Sequence, residues 1–250
     1  MRGLEEAILS IRLPGVEELA SRIDHALLRP SAAKSELETA IEELEKLGLR
    51  CLILSPPLLR EARGLTKRCL GAVVGFPFGY STIESKIKEV EDVIGYGADE
   101  VDAVVNAQLF LLGRREAFAN EARALVEVCR ENEVKCKLIV DAPLFPSRSL
   151  YRDALRVLLE HAQPDFVKTG TGYGGRPAQP EDVLEARAAI TSLGLQGRVR
   201  IKAAGGIRTG LQAALLIAVG ADVIGTSKPA QLLEDYSLTL KTLGIYSARA

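Results

Sequence analysis

Residues 198–228 read RVRIKAAGGIRTGLQAALLIAVGADVIGTSK, and their changing period decides the fold. The apolar run at 199–203 has the length and composition of a strand buried on both faces, as parallel strands are. Gly205 and Gly206 break it. A helical stretch follows over 210–219, Gly220 ends that helix, and a second short apolar run spans 223–226. Strand, crossover helix and parallel strand make a βαβ unit.

The same alternation continues towards the N-terminus. Short apolar runs predict strands over 52–54, 71–76, 101–105, 138–140 and 166–169, and residues 21–27 supply an eighth. Between them, residues 35–47 lay Leu37, Ile41, Leu44 and Leu47 on one helical stripe, and 83–94, 116–130, 150–161 and 180–193 read similarly. Ser81 and Ser147 are N-cap candidates, and Pro180 suits a first helical turn before Glu181 and Asp182. Eight strand–helix units in about 230 residues are the arithmetic of an α/β TIM (β/α)8 barrel. No Pro/Ser-rich linker divides the chain, so one barrel domain over 1–250 is expected, with residues 1–20 as a short N-terminal helical segment. An open doubly wound sheet is the alternative. It would show one dominant switch point rather than polar residues at many strand ends.

Composition removes several function classes. A formal net charge of -1 leaves no basic footprint for nucleic acid or an anionic membrane. The opening MRGLEEAILS lacks a basic flank followed by an apolar core, and no apolar run approaches the roughly 20 residues of a membrane helix. A soluble, cytoplasmic protein is expected. Cys51, Cys69, Cys129 and Cys136 contain no C-x-x-C pair and read as structural thiols. His25 and His161 lack a second ligand at helical spacing, so no metal site is expected.

A barrel gathers its chemistry at the C-terminal ends of its strands. Those ends read Asp24, Ser55, Gly75, Asp102, Asp141, Lys168, Lys202 and Ser227. Lys168 and Lys202 stand out, because each interrupts an apolar strand where lysine is rarely tolerated. A single such lysine is most simply an exposed strand residue; two, each followed by a glycine-rich turn, point to amine catalysis. Burial and a neighbouring cation both disfavour ammonium, freeing a lone pair to attack a carbonyl. Asp102 is available to move protons, unless it serves only a salt bridge at the barrel rim. Glycines after Lys168 and Lys202, with Ser227 and Lys228 ending the last strand, suit a phosphate site near the final strands. The stretch GTGYGG at 170–175 matches the dinucleotide pattern G-x-G-x-x-G, but Pro177 and Pro180 prevent a helix from starting in it, and 186–221 holds no Asp or Glu that the fingerprint needs; the match is read as accidental.

IDHALLRP (23–30), GFPFG (75–79), ESK (84–86), GADEVD (97–102), VKTGTGYGG (167–175), IKAAGGIRTG (201–210) and GADVIGTS (220–227) together resemble the deoxyribose-phosphate aldolase family, over about residues 23–233. That resemblance implies a class I aldolase that reversibly cleaves 2-deoxy-D-ribose 5-phosphate to D-glyceraldehyde 3-phosphate and acetaldehyde, with neither metal nor organic cofactor. It implies Lys168 as the Schiff-base nucleophile, Lys202 as its pKa-lowering partner and proton relay, Asp102 as the acid/base working with Lys202 through water, and Asp24 as a supporting carboxylate. It places the phosphate on Thr171, Gly172, Gly205, Gly206 and Ser227, and a homodimer or homotetramer is usual. Several positions depart from the family: Gly170 and Ala204 stand where serine is usual, Lys228 where a small residue or serine is, Ile53 of ILSP (53–56) where a cysteine is common, and NAQLFLLG (106–113) is divergent. These departures bear on phosphate affinity, and Lys228 offers a direct charge in exchange. A Schiff-base aldolase of another phosphorylated sugar and a non-catalytic phosphosugar-binding barrel are the alternatives.

Overall fold

The computed structural model describes residues 13–244. Among them eight parallel strands close into a barrel in sequence order: β1 (Ile23–Leu27), β2 (Cys51–Leu54), β3 (Leu70–Val74), β4 (Glu100–Val104), β5 (Lys135–Ile139), β6 (Phe166–Lys168), β7 (Arg200–Ala204) and β8 (Val223–Thr226). β8 returns to β1 with Asp24 opposite Gly225, so the sheet has no edge and the open-sheet alternative falls. The eight anticipated strands are all present, with ends displaced by a few residues.

The anticipated helices are α2 (Lys34–Lys46), α4 (Ile83–Gly95), α6 (Arg115–Glu131), α7 (Arg148–His161), α8 (Pro180–Ser192) and α9 (Gly210–Ala218). The structure adds α3 (Pro56–Ala62), α5 (Ala107–Leu111) and α10 (Pro229–Thr242). The first two are too short to show a helical stripe, whereas α10 does bury Leu232, Leu233, Tyr236 and Leu240. Of the expected N-terminal helical segment, α1 (Val16–Ala20) is seen, and residues 1–12 lie outside the described residues. Ser147 caps α7, its hydroxyl accepting from the Leu150 amide; at α4 the cap is Thr82 rather than Ser81, one residue nearer the first turn.

Two cores result. The outer one lies between sheet and helices and is built from residues such as Leu37, Leu52, Leu54, Val90, Leu125, Leu155 and Ile190. The inner one fills the barrel and is divided. Cys51, Ile53 and Val73 make a small apolar cluster against β2 and β3, and the remaining space holds charge.

Cys51 and Cys69 form a disulfide, which corrects the reading of four free thiols; Cys129 and Cys136 are free and buried. The backbone supplies the reason, because the Leu52 amide donates to the Cys69 carbonyl and brings the two cysteines side by side across β2 and β3. Nothing in their spacing announces that pairing. The link closes an 18-residue separation, so Cys69→Ala is expected to lower stability by about 3 kcal/mol through the freer unfolded chain. Alkylation of the denatured, unreduced protein checks the assignment: labelling of Cys129 and Cys136 alone supports it, and labelling of all four cysteines refutes it.

Candidate active site

Period-2 alternation turns Asp24, Glu100, Asp102, Lys137, Lys168 and Lys202 into the barrel, where all six are buried. Asp102 is the hub. Its Oδ2 accepts from Lys168 Nζ and Lys202 Nζ, both at 2.8 Å, and its Oδ1 accepts from Lys137 Nζ at 2.7 Å. Lys202 also lies 2.6 Å from Asp24 Oδ2, and Lys137 lies 2.6 Å from Glu100 Oε2. Arg50 closes the bottom by donating to Asp24 at 2.6 Å and in fork geometry to Glu100 at 2.8 and 2.5 Å. Gly225 makes the Asp24–Lys202 contact possible, since a Cβ there would sit 3.1 Å from Lys202 Cε and 2.9 Å from Ala204 Cβ.

Asp102 therefore does not sit in a salt bridge at the rim, as one reading of the sequence allowed. It lies mid-strand, in register with Lys137. Asp24 and Lys202 are likewise inside their strands, and only Lys168 ends one. Glu100, Lys137 and Arg50 were not singled out from the sequence. Lys137 had a signal: Glu100-x-Asp102 on β4 faces Lys135-x-Lys137 on β5, opposite charges in matching alternation.

Cations outnumber carboxylates in this network, so one lysine is the natural candidate to give up its proton. Three buried carboxylates meet three buried ammonium groups, with Arg50 added from below and half-exposed Lys135 3.6 Å from Glu100. Lys137 is committed. Burial disfavours its charge, but Asp102, Asp24 and Glu100 raise its pKa above the ordinary lysine value. Lys202 is gripped between Asp24 and Asp102. Lys168 has Asp102 alone within ion-pair distance among the described residues. Burial, with Lys202 and Lys137 adding to it against Asp102, lowers the Lys168 pKa to about 8. Burial by itself would raise the Asp102 carboxyl; Lys137, Lys168 and Lys202 instead hold it well below the usual carboxylate range.

Lys168 and Lys202 form part of the floor of a cavity of about 530 Å³ at the C-terminal mouth of the barrel. Thr171, Gly172, Gly205, Gly206, Ser227 and Lys228 line the same cavity, so the anticipated phosphate residues and the lysines share one chamber. The loops after β6 and β7 meet there. Gly172 (φ +90°) and Gly205 (φ +107°) occupy left-handed backbone, and a Cβ on Gly205 would come within 3.3 Å of the Gly172 amide nitrogen. Such loops can turn amides towards an anion. Phe76 and Tyr173, which also line the cavity, pack edge to face at 5.6 Å. The GTGYGG stretch is an irregular loop, with α8 starting only at Pro180, so the dinucleotide geometry is missing.

Two other buried groups belong elsewhere. Lys86 on α4 donates to the Val104 carbonyl at 3.0 Å and pairs with Glu121, which fixes the β3 and β4 ends beneath Gly75. His25 lies 3.5 Å from Glu43 on α2, and burial pushes its pKa down to about 4. Cys51 Sγ, Cys69 Sγ and a Glu100 oxygen lie within 4.8 Å of one another. The two sulfurs are bonded to each other and Glu100 to Arg50 and Lys137, so that trio is already committed.

A buried lysine of lowered pKa, beside a second lysine and a shared carboxylate, under glycine loops at a barrel mouth, can form an imine with a carbonyl compound and move protons next to it. The family model described as DeoC/LacD family aldolase matches residues 19–228. The chain belongs to the DeoC/LacD family of aldolases. It is 34% identical over 230 residues to the deoxyribose-phosphate aldolase of Aeropyrum pernix, covering 90% of this chain and 93% of that one. To the deoxyribose-phosphate aldolase of Bacteroides thetaiotaomicron it is 32% identical over 97% of this chain and 99% of that one. The solved structure titled as a unique tetrameric structure of the A. pernix deoxyribose phosphate aldolase superposes with a TM-score of 0.81 at 32% identity, covering 94% and 96% of the two chains.

Within this aldolase, the departures noted from the sequence acquire a steric meaning. A Cβ on Gly170 would lie 2.9 Å from the Ala204 carbonyl oxygen and 3.0 Å from Asp141 Oδ1, so this position has no room for the usual serine. Lys228 stands at the cavity wall beside Ser227 and brings charge to a mouth whose floor is already cationic. No helix among the described residues is long and apolar enough to cross a membrane.

Proposed function

We propose that this chain is a class I aldolase that reversibly cleaves 2-deoxy-D-ribose 5-phosphate to D-glyceraldehyde 3-phosphate and acetaldehyde. The observation that carries the reading is Lys168, a buried lysine at the cavity floor whose pKa is lowered to about 8 and which has Asp102 alone within ion-pair distance among the described residues. As a free amine it adds to the aldehyde carbon of the open-chain sugar, and loss of water gives an iminium. The iminium then accepts the electron pair of the C2–C3 bond as the C3 hydroxyl gives up its proton. D-Glyceraldehyde 3-phosphate leaves, an enamine remains, protonation at C2 restores the iminium, and water releases acetaldehyde. Lys202 and Asp102 carry these protons through water, and Asp24 holds Lys202 in place from the other side.

The phosphate is held by the backbone around Thr171, Gly172, Gly205, Gly206 and Ser227, with Lys228 adding charge. Each step is carried by the chain's own side chains. The active form is a homodimer or homotetramer in the cytoplasm.

A coupled retro-aldol assay on 2-deoxyribose 5-phosphate tests this directly, and absence of turnover refutes it. Its pH profile is a sharper check. Because the Lys168 pKa is lowered to about 8, kcat/KM is expected to climb about tenfold per pH unit below that value and to level off above it. A rise that continued unchanged to pH 10 would mean that Lys168 keeps the ordinary lysine pKa.

A further inference from the structure

Asp141 lies just past β5, ahead of the short 3-10 turn Ala142–Leu144, and it is 5% exposed. It is absent from the residues that line the catalytic cavity, yet it sits directly behind one of the loops that do. The Thr171 hydroxyl donates to Asp141 Oδ2 at 2.6 Å, and the Tyr173 amide donates back to that same hydroxyl at 3.1 Å. A carboxylate, a hydroxyl and a backbone amide thus form one chain of hydrogen bonds that sets the path of residues 171–173. Two glycines make the space. A Cβ on Gly170 or on Gly174 would lie 3.0 or 2.9 Å from Asp141 Oδ1.

The placement is costly in two ways, which argues that it serves the loop. Burial raises the Asp141 pKa, with the Thr171 hydroxyl bond working against that rise. A negative charge behind an anion-gripping loop also works against the anion. A structure that only needed to fill this space would do so better with an apolar side chain.

We infer that Asp141 is a positioning residue for phosphate specificity: through the Thr171 hydroxyl it holds the 171–173 loop in the shape that grips the phosphate group. This rests on the phosphate placement proposed above and deepens it. Fixing the loop before the ligand arrives removes the ordering cost from binding, so its loss should appear as weakened phosphate affinity rather than as failed amine chemistry.

Inorganic phosphate binding, followed by calorimetry on the full chain, reads this without reference to turnover. Asp141→Ala and Thr171→Val are each expected to weaken it at least tenfold. Asp141→Asn, which keeps an acceptor, and Thr171→Ser, which keeps the hydroxyl, should stay within threefold of the parent. The double variant Asp141→Ala/Thr171→Val should bind no more weakly than either single one, because both break the same connection. Borohydride trapping of acetaldehyde at Lys168 should stay within twofold in Asp141→Ala. For Asp141→Ala on 2-deoxyribose 5-phosphate the loss should fall on KM, with kcat held within threefold.

Equal phosphate affinity in Thr171→Val and Thr171→Ser would overturn the inference, as would loss of acetaldehyde trapping in parallel with phosphate binding. If Asp141→Ala does not fold, Asp141→Leu, which fills the same space without an acceptor, takes its place: it should weaken phosphate binding at least tenfold, and affinity within threefold of the parent would overturn the inference. Should the parent bind phosphate with this pattern of variants yet cleave no 2-deoxyribose 5-phosphate, the substrate reading fails and the positioning role stands.

Discussion

Lys168→Ala is expected to abolish turnover, with a loss of about 10⁴-fold or more, as removal of a covalent nucleophile does elsewhere. The variant should also form no borohydride-reducible adduct with acetaldehyde, whereas the parent should carry a reduced ethyl group on Lys168 alone. Three buried lysines crowd Asp102, so the specificity of the expectation matters. Lys137 pairs with Glu100, Asp102 and, at 3.9 Å, Asp24, and Lys202 pairs with Asp24 and Asp102; freeing either nitrogen would break at least two ion pairs. Lys168 has to leave only one and opens onto the cavity. An adduct mapped to Lys202 or Lys137, or one persisting in Lys168→Ala, would show that the wrong lysine has been assigned. The variant should fold normally, because deleting a surplus cation from an interior rich in positive charge removes a desolvation cost and leaves Asp102 with two ammonium partners.

Asp102→Asn is expected to be nearly as damaging and to differ in kind. Both oxygens are in use, Oδ1 towards Lys137 and Oδ2 towards Lys168 and Lys202. An amide group has one acceptor, so whichever way it turns, at least one buried ammonium faces an NH2. Breaking a buried ion pair from one side costs about 3–5 kcal/mol. A lower melting temperature should follow. Activity should fall by about 10²–10⁴-fold with the loss of proton transfer. The pH profile separates this variant from a merely unstable one. Asp102 is the group that raises the Lys168 pKa against burial, so without its charge the rising limb should move to lower pH while the plateau drops. An unmoved limb would mean that the two groups are not electrostatically linked.

The parts visible in the sequence are those whose physics is local. Eight strands could be counted because buried parallel strands are short, apolar and bounded by glycines. Lys168 and Lys202 could be found because a charge inside such a run is a conflict between local pattern and burial, and such conflicts mark function. Lys137 escaped for the opposite reason. KCK (135–137) precedes the apolar LIV, so it looks like a charged strand edge until the register with β4 sets Lys137 against Asp102. Arg50 is one position outside β2 and enters the network only through its long side chain. The Cys51–Cys69 bond and the Asp141–Thr171 contact likewise depend on which strand ends become neighbours. The sequence carries those adjacencies only through the closed barrel.

Closure has a consequence for how the protein comes into being. Asp24 belongs to the first strand and Lys202 to the seventh, yet they touch at 2.6 Å because the eighth strand passes between them with a glycine at the point of contact. A nascent chain therefore holds Asp24 without its Lys202 partner until almost the whole polypeptide has been made. Without its last stave the ring around Lys168, Lys202, Asp102 and Asp24 stays open. Enzymatic competence is then an all-or-none report on the finished barrel, and a half-built molecule has no partial version of this chemistry to misuse.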